Sequence, residues 1–427
     1  MNAINKRCMT IVFIVFMFCA IFTPDFFHFS MRYLLVILAG GYITWDIFIK
    51  RRMRISSNEL LLFKGFIPFI IYFSMLQIFR SMIDPSNSGI YINTLVHTLF
   101  SFIGAFIICE FILCVSRKLN LSFDSFVKIM FAVSLMQFVC VLLALTIPSI
   151  RYYFNTLIVK NSYSDRLAEL AEASNRGFVD RSYGLSNNLF DSFGYITALI
   201  ILLLYTNGLE KKNNKIIIVS FIMIIMPLVN ARTGVILLVL GFLVVNLFYH
   251  DIKNVLKIIG IVALALVVFS QLLTLLPDSM IKWLSGGLDD ILLFFSGSDE
   301  STVFSKILGE DLIYPNSILL GAGGSSSSFN YHGVDNGYIN CIWNFGLIGT
   351  VLLLFGYIRM FKMVYNKSDY SYNKAISVAY TVIFFVYLVK IYSIDNFGGN
   401  TLIFGISSML LVTYKNQLSN NFEVRSE

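Results

Sequence analysis

Apolar residues in this chain do not alternate with polar ones; they come in long unbroken runs separated by short polar joints. Twelve runs can be marked, at roughly 8–23, 32–49, 60–79, 92–114, 125–147, 189–206, 215–229, 233–249, 258–276, 338–361, 375–392 and 399–414. Most approach or exceed the length of about 20 residues that a helix needs to cross hydrocarbon about 30 Å thick. The pattern predicts an all-α, polytopic membrane protein of about twelve transmembrane helices, with residues 1–427 forming a single integral membrane domain. Two joints are longer than the rest and predict external loops at 149–188 and 277–336. In the first, Ser164–Asn175 reads as a short surface-lying helix, capped by Ser164 and with Leu167, Leu170 and Ala171 on one face. In the second, Asp278 and Ser301 stand at N-cap positions, and Trp283 and Phe294–Phe295 suit a membrane interface.

Composition strengthens this picture: the chain is 57% hydrophobic, 15% aromatic and only 13% charged, outside the range of soluble domains. The first run follows Lys6 and Arg7 but no small-residue cleavage site follows it, so it reads as an uncleaved helix. With the N-terminus inside, 21 of the 32 Lys and Arg residues fall on the cytoplasmic side, as the positive-inside rule requires. Both termini are then cytoplasmic. The net charge of +7 follows from this arrangement and implies no nucleic-acid partner. The six cysteines, at 8, 19, 109, 114, 140 and 341, sit in or beside apolar runs, without metal-ligand spacing and out of reach of an outer disulfide. Asp46 and Glu110 stand near the cytoplasmic ends of their runs, where a carboxylate reaches water. His97 lies toward the outer end, a less common place for an ionisable group.

External charge departs from the rule in one place. Arg151, Lys160, Arg166, Arg176 and Arg181 all fall in the first external loop. Local pairing of Arg166 with Glu169 and of Arg176 with Glu172 accounts for two, and leaves Arg181 without an obvious partner. Arg232 stands in the three-residue joint Asn230–Ala231–Arg232, at the outer surface or just below it. A guanidinium there either snorkels to headgroups or binds an anion.

The stretch from Gly321 to Gly349 brings the remaining chemistry. It opens as a Gly- and Ser-rich polar loop, passes His332, Asp335 and Asn336, and becomes apolar at Cys341. Asp335 or Asn336 can cap the helix that follows. His332 or Asp335 can also take a proton from a hydroxyl, since both titrate in a usable range. External arginines can hold a phosphate through paired hydrogen bonds and stabilise a departing pyrophosphate. No P-loop, Gly-x-Ser-x-Gly, His-Glu-x-x-His or EF-hand spacing occurs, and no cytoplasmic joint is long enough to hold a nucleotide. No cofactor and no metal are expected.

The twelve-run layout with two external loops resembles that of a known family in its details too: Ala231-Arg232-Thr233-Gly234 opening a helix, and His332-Gly333-Val334-Asp335-Asn336-Gly337-Tyr338 followed by Asn344-Phe345-Gly346-Leu347-Ile348-Gly349. On these residues the chain is similar to the Wzy-type O-antigen polymerases and the related O-antigen ligases. The resemblance implies a glycosyltransferase of the bacterial inner membrane that joins repeat units carried on undecaprenyl pyrophosphate at the outer face, forming O-antigen or capsular polysaccharide. It further implies that Arg232, Arg181 and Arg166 bind pyrophosphate, that His332 or Asp335 serves the acceptor hydroxyl, and that Asn336 and Tyr338 position substrate or loop. A chain-length regulator and a flippase are the partners it implies, beside membrane lipid. The family's motif of Arg, ten residues, then Gly is matched once, by Arg166 and Gly177. Between Pro277 and Tyr338 the second loop has no arginine. A ligase delivering the glycan to lipid A core uses similar residues and stays an alternative. A flippase would show internal symmetry and charges deep in several helices, and neither is seen beyond His97.

Overall fold

The computed structural model describes residues 3–26, 29–48, 62–158, 183–186, 188, 190–249, 313–329, 336–367, 371–390 and 396–424. The expected ninth run and most of both expected loops lie outside the described residues. Those described are mostly helical, with a two-residue antiparallel pairing of β1 (Asp25–Phe26) with β2 (Phe29–Ser30) and a non-helical loop before Ser326. Among the described residues six helices are long and apolar enough to cross a membrane, and four shorter apolar helices accompany them.

The chain divides into two compact units, each assembled from separated stretches of sequence. Unit 1 contains Met1–Tyr33 and Val127–Thr302. Its elements are α1 (Ala3–Phe22), most of α6 (Phe123–Thr146), α7 (Pro148–Ile158), α8 (Phe190–Glu210), α9 (Asn214–Ile222), α10 (Ile225–Asn230) and α11 (Arg232–Phe248). Helix α8 is buried on every side from Phe193 to Tyr205 because α9, α10 and α11 all pack on it; a helix apolar all round is the kind that can be so enclosed. The seventh expected run, 215–229, is two helices instead of one. Pro227 is the cause: it has no N–H and its ring crowds the Met223 carbonyl, so Met226 N–H bonds Met223 at 3.0 Å in a tighter turn. The joint predicted at Asn230–Arg232 is shorter than the three residues expected: Asn230 ends α10, Arg232 begins α11, and Ala231 alone is extended between them. Residue 149 was expected to open a loop, but α7 begins at Pro148. Proline suits the first helical position, where its missing N–H would have no partner.

Unit 2 contains Leu34–Phe126 and Val303–Glu427. It is built from α2 (Met31–Phe48, all but its first turn), α3 (Ile67–Ile83), α4 (Ser88–Leu99), α5 (Ala105–Leu119), α12 (Gly337–Asn366), α13 (Ser371–Lys390) and α14 (Phe397–Val424). A π turn at Phe100–Gly104 joins α4 to α5, so the helical run is nearly continuous from Pro85 to Leu119. The core is aromatic. Phe66 meets Tyr357 edge-on at 4.9 Å, and Phe345 stands edge-on to Phe69 at 5.0 Å and to Phe73 at 4.9 Å. Such pairs each contribute about 0.5–1.5 kcal/mol beyond burial. Tyr357 also donates to Asn400 Oδ1 at 2.7 Å, tying α12 to α14 by a bond of a class that averages about 0.6 kcal/mol between membrane helices.

Helix α3 buries Phe69, Phe73 and Gln77, four residues apart, and exposes Ile71, Met75, Ile78, Phe79 and Met82. An outer face so apolar is one that lipid solvates. Three expectations change in this unit. Glu110, expected to reach water, is 3% exposed. The last run was expected to end at residue 414, yet α14 continues to Val424; no Gly or Pro after Gly405 stops it. The third run was expected to end before Arg80, yet α3 continues to Ile83, for a reason that lies in the site.

Candidate functional site

In sequence, residues 338–361 read as one apolar run; in the structure the helix there, Gly337–Asn366, is broken at Gly346, where φ is 71° and ψ 174°. Such a backbone is strained for any residue with a Cβ. A break in a helix strands backbone donors and acceptors, and here residues 313–329 satisfy them. Leu347 N–H donates to the Ile318 carbonyl at 2.8 Å and Ile348 N–H to that of Leu319 at 3.3 Å. In return Ala322 and Gly323 N–H donate to the Trp343 carbonyl at 2.7 and 3.0 Å. Gly321 and Gly346 face each other across the joint, and a Cβ on either would collide with the other segment's backbone.

Trp343 organises the approach. Its Nε1 donates to the Ile313 carbonyl at 2.7 Å, its ring stacks on Phe329 at 6.4 Å, and Ile339 beside it completes a small core with Ile313, Ala322 and Phe329. Asn336 caps α12, its side chain accepting from Ile339 N–H at 3.2 Å. The polar segment is therefore fixed on both flanks, at Phe329 and at Asn336.

The end of α3 supplies the charge. Arg80 Nη2 donates to the carbonyls of Leu320 and of Gly321, the latter at 2.8 Å, and Gln77 Nε2 donates to that of Gly323 at 3.0 Å. This is why α3 carries a cation beyond its apolar run: the guanidinium is taken up by carbonyls of the inserted loop. Just past it, Asp84 accepts hydrogen bonds from Ser86 and, on its second oxygen, from Asn87 at 2.8 Å and Tyr91 at 2.9 Å. Those three bonds, Ser86 first, hold its carboxyl down at about 2, so it is ionised throughout the neutral range.

The residues singled out from sequence are distributed unevenly. His332, Asp335, Arg166 and Arg181 lie outside the described residues. Arg232 is the first residue of α11 in unit 1; beside it Thr233 donates to Asp191 on the first turn of α8. Asn336 is the cap of α12. Tyr338 spends its hydroxyl on the Phe385 carbonyl of α13 at 2.9 Å, which gives it a role in helix packing. Arg80 and Gln77 were not singled out, although an arginine at the outer end of an expected span is a detectable signal. Among the described residues no group of His, Cys, Asp and Glu is arranged to hold a metal ion. Chemically, the arrangement offers a polar, glycine-rich backbone seated in a helix break, with a guanidinium and an ionised carboxylate at the same end of α3. In comparison with known proteins, the sequence matches no family model and no curated protein.

Proposed function

We propose that this chain is a polysaccharide polymerase of the Wzy type, a glycosyltransferase joining oligosaccharide repeat units carried on undecaprenyl pyrophosphate at the outer face of the bacterial inner membrane. In this reading it crosses the membrane about twelve times with both termini in the cytoplasm. The observation that carries the proposal is the polar loop of residues 313–329, seated in the break of α12 and followed in sequence by His332 and Asp335. In sequence six residues, among them His332 and Asp335, separate Phe329, which stacks on Trp343, from Asn336, the cap of α12, and Arg80 bonds the same loop at the Gly321 carbonyl. Charge counting assigns the Arg80 end of α3 and the start of α12 to the same external side, in agreement with their meeting here.

Transfer would run as follows. His332, or Asp335 in its place, takes the acceptor hydroxyl proton; the freed oxygen bonds the anomeric carbon of the growing chain. The bond from that carbon to the pyrophosphate oxygen breaks, and undecaprenyl pyrophosphate leaves with the electron pair. Arg232, Arg181 and Arg166 would bear the charge that develops on the leaving group, as guanidinium groups do through paired hydrogen bonds.

Purified protein given labelled lipid-linked repeat units should yield a ladder of products rising by one unit. Label delivered instead to added lipid A core would make the chain a ligase. No transfer to either acceptor by folded protein would remove both readings.

A further inference from the structure

The hydrogen bonds from α3 to the inserted loop are unusual in kind. Three carbonyls of a glycine-rich backbone, those of Leu320, Gly321 and Gly323, are held by two side chains one helical turn apart. Gln77 is fully buried. Its Oε1, and Arg80 Nη1, are enclosed with no hydrogen-bond partner among the described residues. Leaving a donor and an acceptor so enclosed is costly, and an apolar pair of similar shape would avoid that cost. A joint serving only packing would not favour these two residues. What they add is placement: they set the position of Leu320–Gly323 relative to the break in α12, twelve residues before Asn336.

We propose that Arg80 and Gln77 are positioning residues, a latch that seats Leu320–Gly323 in the break of α12 and thereby fixes the loop that runs to Phe329, three residues ahead of His332 in sequence. The latch explains the backbone at Gly323, whose φ of 89° is one that a side chain disfavours and whose missing Cβ leaves room for Arg80 Nη1 and Gln77 Oε1. It also explains why a cation tolerates the end of an apolar helix. The functional half of this inference rests on the polymerase reading; the structural half does not.

Hydrogen exchange and transfer kinetics on the full chain in lipid nanodiscs separate the two halves. Arg80→Met and Gln77→Leu keep side-chain bulk and remove the bonds to the loop. Gly323→Ala leaves both residues in place and crowds them, so it serves if Arg80→Met fails to fold. Each variant should raise exchange at the Ala322 and Gly323 amides by about tenfold or more, the scale set by losing a hydrogen bond to a charged or buried group. Each should also lower kcat for transfer by about tenfold, leaving KM for the lipid-linked donor within about twofold, as misplacement of catalytic groups does. Unchanged exchange in Arg80→Met and Gln77→Leu overturns the latch. Raised exchange with unchanged kcat overturns its positioning role. If the wild-type chain transfers nothing, the polymerase reading and the positioning role fall together, and exchange alone judges the latch.

Discussion

At the scale of single residues, the glycines at the helix break make the sharpest demand. Gly346 has a backbone that a side chain strains, and its Cβ would run into the Leu319 carbonyl and the Leu320 backbone. Gly346→Ala should therefore lower stability by at least about 2 kcal/mol, the order of a strained backbone with a collision added. Gly405, inside α14, has only Ile112 Cδ1 near its absent Cβ, at 3.6 Å. Gly405→Ala should raise stability by about 0.5–1 kcal/mol, the helix preference of alanine over glycine. Thermal unfolding in detergent checks the pair, and equal shifts in one direction would contradict the account. Asp84 makes a second demand. Its folded carboxyl is depressed to about 2 from an unfolded value of about 3.9, so its contribution is complete above the unfolded value and is lost as pH falls through the folded one. The stability difference between wild type and Asp84→Asn should be constant from pH 8 to 5 and shrink between about pH 4 and 2. A difference that changed across pH 6–8 would place the titrating group elsewhere.

Among elements, the apolar runs were legible because their length exceeds what a buried soluble helix shows. The Asn230–Arg232 joint was legible too, as three residues between two apolar runs. What stayed hidden did so for physical reasons. Asn344-Phe345-Gly346-Leu347-Ile348-Gly349 reads as apolar throughout, and only the carbonyls of Ile318 and Leu319, more than twenty residues earlier, show that the helix opens there. Backbone acceptors leave no mark in sequence. For the same reason Arg80 looked like the residue past the end of a span, since its partners are the carbonyls of Leu320 and Gly321 and not a carboxylate that spacing could reveal. Pro227 lies inside the run read as a single span, and its consequence, two helices in the place of one, depends on the tighter turn its neighbours adopt. Of the candidate site, the cap was legible as a choice between Asp335 and Asn336, and the structure assigns it to Asn336.

For the whole molecule, the proposal requires the two long segments to face away from the cytoplasm, since lipid-linked units are joined at the outer face in this reading. Single cysteines at Lys160 and Lys306, in a background without the native thiols, should react in intact spheroplasts with a membrane-impermeant maleimide. Labelling that appears only after permeabilisation would invert the topology and remove the mechanism with it. The transfer step itself gives the most direct test, because the account assigns it to the segment between Phe329 and Asn336. Single-turnover transfer from labelled lipid-linked repeat units should be compared for purified wild-type protein and His332→Ala, with donor binding measured on the same samples. The account predicts intact donor binding and a transfer rate lower by about 100-fold or more, the usual contribution of a general base, with Asp335→Asn costing less. A His332→Ala rate equal to wild type, with Asp335→Asn inactive, would move the base to Asp335; wild-type rates in both variants would contradict the assignment of the chemistry to this segment.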